Sequence, residues 1–213
     1  MSKNYVQYGC GLDAPLGWIN FDASPTLLLQ RIPLASSLAE IVFRKLPLAE
    51  FPKHVKYGDI IRGLPIKSES CEAIYCSHVL EHLSLEDLRI AVRNTFSYLV
   101  KGGTFRLVVP DLEFLARNYL NSNLPNACSL FIQNCCLGKT SRSKTFIMFL
   151  REWLGHSHHL WMWDFKGLAE ELKLIGFQNI RRAECRDSRD EKFYEVEDPG
   201  RWENSVGIEC VKP

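Results

Sequence analysis

The sequence predicts a three-layer, doubly wound α/β sheet of the Rossmann-like kind, and three observations predict it. Short β-rich runs alternate with helix-periodic ones through the first two thirds of the chain, as they do where helices join the strands of a sheet. Each early run is closed by glycine or a polar residue: Gly9-Cys10-Gly11, Asp22, Asp59, and Ser77-His78-Val79-Leu80-Glu81-His82. The length of 213 residues, with 46% hydrophobic and 24% charged side chains, suits one domain with a sizeable core. In open α/β sheets ligands bind outside the carboxyl ends of the strands, so polar residues recurring there compose one small-molecule site.

In chain order, the strands expected first are Tyr5-Val6-Gln7-Tyr8, Trp18-Ile19-Asn20-Phe21, His54-Val55-Lys56-Tyr57 and Ala73-Ile74-Tyr75-Cys76. Only Leu12 to Leu16 plus Gly17 separate Gly11 from Trp18, too few residues for a helix and two turns, so the first crossover helix is missing. A helix is expected over 85–100. Ser84 caps it, Asp87 stands at N3 of a near capping box, and Leu85, Leu88, Val92, Phe96 and Leu99 form its apolar stripe. Gly102-Gly103 supplies its left-handed stop. Residues 104–109 follow as a strand, and Asp111 caps a helix carrying Leu112, Leu115 and Tyr119. From 121 to about 160 the alternation breaks, which marks an insertion or cap within a single domain over 1–213. Asp164 starts a last helix with Leu168, Leu172 and Ile175 on one face and Gly176 as its stop. Residues 177–180 and 206–211 are the last strands, and the charged connection 186–203 between them is expected on the surface rather than in the core.

Composition removes several function classes. Lys and Arg total 26 against 25 Asp and Glu, and a net charge of +1 gives no drive toward nucleic acid or anionic membrane. No run approaches the ~18 apolar residues of a membrane span; the best, 146–150, is five residues bounded by charge. The start Met1-Ser2-Lys3-Asn4 carries no signal core, and eight cysteines without a CxxC pair are expected as reduced thiols in a cytoplasmic protein.

Glycines directly after a first strand let a ligand approach the backbone without a Cβ in the way. A carboxylate at Asp22, after the second strand, can accept both hydroxyls of a ribose. Asp59, after the third, can accept from an exocyclic amine. Together the three favour an adenosine-bearing ligand. Nicotinamide-dependent oxidoreduction is disfavoured, because Ala14 stands where the third glycine of GxGxxG belongs.

The series Gly9-Cys10-Gly11, Asp22, Gly58-Asp59, Leu64-Pro65, Ser77-His78-Val79-Leu80-Glu81-His82-Leu83 and Gly102-Gly103 resembles class I S-adenosylmethionine-dependent methyltransferases of the type-11-like group. The stretches Gly17-Trp18-Ile19-Asn20-Phe21-Asp22 and Trp161-Met162-Trp163-Asp164 resemble a subgroup associated with cell-surface polysaccharide genes. The likeness covers residues 5 to 111 well and the last helix and strands more loosely. It implies a mostly parallel sheet with an antiparallel last strand at 206–211 and S-adenosyl-L-methionine as cofactor. It further implies backbone contact at Gly9, Cys10 and Gly11, the ribose on Asp22, adenine at Asp59 and Ile60, and Ser77 and His78 near the sulfonium. With no first crossover helix, the cofactor's carboxylate needs a donor other than a helix N-terminus.

Methyl transfer to a hydroxyl needs the acceptor held at attack distance and its proton removed. The candidate bases are His78, Glu81, His82 and the cluster His156, His158 and His159, with His78 and His159 the expected catalytic pair. Trp161, Trp163, His158 and Arg201 are the expected acceptor-binding residues, since rings beside polar groups suit a sugar or aromatic face. No metal is expected: His156, His158 and His159 lack a fourth ligand. The expected activity is methyl transfer to a small or saccharide acceptor, O-methylation ahead of N-methylation. The alternative is a non-catalytic methyltransferase-fold binding module.

Overall fold

The computed structural model describes residues 4–31, 50–139 and 158–213. His156 and the apolar run 146–150 lie outside the described residues. The elements are β1 (Asn4–Tyr8), β2 (Ile19–Asp22), α1 (Pro25–Arg31), β3 (Lys56–Tyr57), β4 (Cys71–Ser77), α2 (Leu85–Tyr98), β5 (Leu99–Pro110), α3 (Leu112–Leu120), α4 (Ala127–Asn134), α5 (Phe165–Ile175), β6 (Gln178–Ala183) and β7 (Ser205–Val211). Short 3₁₀ turns at Leu80–His82, Glu191–Glu195 and Pro199–Trp202 complete them. The strands form one seven-stranded sheet in the order β3-β2-β1-β4-β5-β7-β6. β1 pairs in parallel with β2 and β4, and β4 with β5; β7 runs antiparallel to both β5 and β6.

The helix signals act as read. Ser84 accepts from the Asp87 N–H and donates to its carboxylate at 2.7 Å. Asp111 caps α3 through the Glu113 and Phe114 N–H groups, and Asp164 caps α5 through Gly167. Gly176 closes α5 at φ +117°. Gly102-Gly103 does something else. α2 ends at Tyr98 because Leu99 turns extended and pairs with Cys71, so β5 starts five residues earlier than expected. Gly102, at φ +79°, bends that strand where its N–H meets the Lys212 carbonyl at 2.8 Å.

Ten residues, 9–18, join the parallel strands β1 and β2, and they hold turns but no helix. The two faces of the sheet are consequently covered in different ways. On one, α2 and α5 bury Leu88, Val92, Leu168 and Leu172 against Val6, Ile74, Phe105, Leu107 and Ile208. On the other, Trp18, Ala73, Tyr75 and Val108 are covered by Phe193 and Val196. The connection 186–203 is therefore core as well as surface, against the expectation from its charge. Phe193 is wholly buried, 5.5 Å from Trp18 and 6.3 Å from Tyr75 between ring centres.

Charge is what fixes this segment in place. Arg106, fully buried on β5, pairs with the equally buried Glu197, and also with Asp187 at 2.9 Å and Glu209 at 3.0 Å. Its guanidinium lies 4.9 Å from the Trp202 ring centre. Arg181 bonds Asp187 and Glu209 in turn, joining β6, β7 and the connection. No described helix is long and apolar enough to cross a membrane.

Candidate functional site

A cleft of about 500 Å³ opens at the carboxyl ends of β1, β2 and β4. Gly9, Gly11, Asp22, Asp59, Ile60, His78 and Arg201, all expected at a site, line it together with Ser24, Ile61, Val79, His82, Leu83 and Asp87. Local structure explains how each is held. Gly9 sits at φ +65°, and a Cβ there would overlap the Val79 side chain. Asp22, 8% exposed, accepts from the Gly11 N–H at 2.9 Å and the Ser24 N–H at 2.7 Å, one bond to each carboxylate oxygen. Each oxygen keeps a lone pair for a ligand hydroxyl. Asp59 accepts from the Ile61 N–H at 2.8 Å.

His78 directly follows β4 and lies in the left-handed region at φ +54°, a conformation that histidine tolerates better than most residues. Its Nε2 faces the Arg201 carbonyl at 2.8 Å and its Nδ1 faces Glu81 at 3.2 Å. Burial opposes a charge on this ring, but the Glu81 carboxylate and the Arg201 carbonyl outweigh it and raise its pKa. The Arg201 guanidinium donates back to the Ser77 carbonyl at 3.1 Å, clasping the Pro199–Trp202 turn to the end of β4. Burial and Asp198 raise the nearby Asp13 carboxyl, and Arg201 opposes them, which puts the Arg201 charge beside the glycine loop.

Two motifs 76 residues apart in sequence meet here. The N–H groups of Leu160 and Trp161 both donate to the Glu81 carbonyl, at 2.8 and 3.1 Å. The His82 Nδ1 donates to the His158 carbonyl at 3.1 Å, and the rings of His82 and His159 stand 5.0 Å apart, edge to face. Burial lowers the pKa of His159; Glu81 works against that and neighbouring His82 adds to it. Trp161 is 43% exposed and presents a ring toward solvent.

Other expected site residues stand elsewhere. Cys10 turns its thiol into a cluster with Leu27 and Val55, and burial pushes that thiol up to about 12, so only its backbone belongs to the loop. Trp163, 5% exposed, packs in the main core and offers no face to a ligand. The Ser77 hydroxyl is buried off the cleft wall. Ser24 and Val79 were missed, because their parts in the loop depend on contacts with Asp22 and Gly9 that spacing does not reveal.

Residues 7–107 match the family described as "Methyltransferase domain". No curated protein matches the chain significantly. Among solved structures, a possible histamine N-methyltransferase from Thermotoga maritima, described as S-adenosylmethionine-dependent, aligns with TM-score 0.54 at 18% identity, over 100% of this chain and 84% of that one. An S-adenosylmethionine-dependent methyltransferase from Archaeoglobus fulgidus aligns with TM-score 0.50 at 14% identity, over 99% and 86%. Phosphoethanolamine N-methyltransferase 2 of Haemonchus contortus, in complex with S-adenosyl-L-methionine, aligns with TM-score 0.50 at 12% identity, over 99% and 49%. The chain spans about half the length of several structures that it matches.

Proposed function

We propose that the protein, whose residues 7–107 match the methyltransferase-domain family on a seven-stranded sheet, is an S-adenosylmethionine-dependent methyltransferase acting on a hydroxyl of a small or saccharide acceptor. The observation carrying the reading is the cleft itself: a glycine turn with no room for a side chain at Gly9, an anchored carboxylate at Asp22, and a histidine–carboxylate cluster at one edge. Its volume lies within the ~300–1,000 Å³ of ordinary ligand sites.

Gly9 and Gly11 hold the methionine part against the backbone, Asp22 accepts the ribose hydroxyls, and Asp59 with Ile60 holds the adenine. Arg201 receives the methionine carboxylate in place of the absent helix N-terminus. When bound, S-adenosylmethionine supplies a sulfonium methyl open to in-line displacement. His78, with both ring nitrogens facing oxygens, is a strut that sets the end of β4 rather than a free base. The acceptor's proton leaves at the cluster that His159 shares with His82 and Glu81. A hydroxyl needs such a group more than an amine does. Trp161 offers its exposed ring to a sugar face, in keeping with an acceptor belonging to cell-surface polysaccharide.

Titration calorimetry with S-adenosylmethionine and S-adenosylhomocysteine tests the cofactor part. Micromolar binding that Asp22→Ala weakens at least tenfold is the expected result. No binding to wild type at millimolar ligand overturns it and favours a non-catalytic module, whose cause would be the short β1–β2 link.

A further inference from the structure

We propose that Glu81, His82 and His159 form a zinc-class metal site at the edge of the cleft, which activates the acceptor hydroxyl; this rests on the methyltransferase reading above for its purpose, though not for its existence. One ligand atom from each of the three lies within 4.8 Å of the others. Two imidazoles and one carboxylate, with positions left open, is a donor set of catalytic zinc.

Glu81 carries the argument furthest. It is 1% exposed, and neither carboxylate oxygen makes a hydrogen bond among the described residues. His78 Nδ1, at 3.2 Å from one oxygen, is its nearest charge partner, and the second oxygen has none. A divalent cation would meet the lone pairs that this buried carboxylate leaves unused.

His82 is oriented as metal-bound histidines are. Its Nδ1–H is tied to a backbone carbonyl, so the lone pair sits on Nε2. His82 also lines the cleft, so a metal held there borders the space open to the acceptor.

The chemistry balances without a further reactant. An acceptor hydroxyl on the metal's open position loses its proton to water at lower pH than a free alcohol does. The oxygen then forms the new O–C bond to the methyl, and the C–S electron pair returns to sulfur.

The test is titration of the chelator-treated full chain with Co²⁺, followed by visible d–d absorption, with Zn²⁺ as competitor. One equivalent of cobalt, displaced by zinc and lacking sulfur-to-cobalt charge-transfer bands, is expected. His82→Ala and His159→Ala are each expected to weaken binding at least a hundredfold, with Glu81→Gln as a third variant and circular dichroism showing that each folds. Absence of a cobalt spectrum overturns the site, as does one that survives both histidine substitutions. Calorimetry with S-adenosylhomocysteine on the metal-free protein runs beside it. Cobalt binding without cofactor binding sinks the methyltransferase reading alone, and the reverse sinks the metal alone.

Discussion

A methyl group added at Gly9 meets two obstacles, a left-handed backbone and the Val79 side chain, whereas Gly11, at φ +55°, has open space where its Cβ would go. The left-handed conformation costs about 1–2 kcal/mol for a residue with a side chain, and overpacking typically adds ~1–3. Gly9→Ala is therefore expected to lose more S-adenosylhomocysteine affinity, and more stability in urea, than Gly11→Ala. Equal effects in calorimetry and unfolding would remove Val79 from the account. The sequence signalled two glycines that could let a ligand close to the chain, and both line the cleft. It gave no sign of the Val79 contact, since that residue arrives from a strand end 70 positions later. Trp163 misled for a related reason: beside Trp161 it reads as a second exposed ring, and only the fold shows that the two alternate between core and solvent.

At the scale of elements, cap chemistry was legible and strand limits were not. Ser84, Asp111, Asp164 and Gly176 mark helix ends through bonds to the nearest few residues, which local sequence determines. The start of β5 at Leu99 depends on pairing with Cys71, a neighbour across the sheet. The connection 186–203 reads as surface because its charges outnumber its apolar residues, although Phe193 and Val196 are buried against Trp18 and Tyr75. Phe193→Ala is expected to cost about 3–5 kcal/mol, as for other large buried rings. Urea unfolding checks it, and a loss below about 1 kcal/mol would show that Phe193 does not hold the segment.

Across the whole molecule, Arg106 and Arg181 tie β5, β6, β7 and the connection through Asp187, Glu197 and Glu209. Burial works against the Asp187 carboxylate, but bonds from Arg181, the Glu184 backbone and Arg106 hold it at about 2 against an ordinary 3.8. A carboxyl depressed on folding contributes stability that is complete above its unfolded value and lost as pH falls through its folded one. The stability difference between wild type and Asp187→Asn is therefore expected to be constant from pH 7 to about 5 and to shrink between about pH 4 and 2. Thermal melts across that range check it; a difference that does not change with pH would remove the carboxylate from the network.

The short link between β1 and β2 also sets an order of events during synthesis. Trp18, at the end of the β1–β2 link, and Tyr75, on β4, are made early, and the residues that shelter them, Phe193 and Val196, come ~120 positions after Tyr75. At translation speeds of ~5–20 residues per second, that interval lasts about 6–24 s. Trp18 and Tyr75 meanwhile lack the two side chains that bury them in the finished fold. A helix in a first crossover is made within seconds of the strands beside it; here Phe193 and Val196 come just before the last strand, β7.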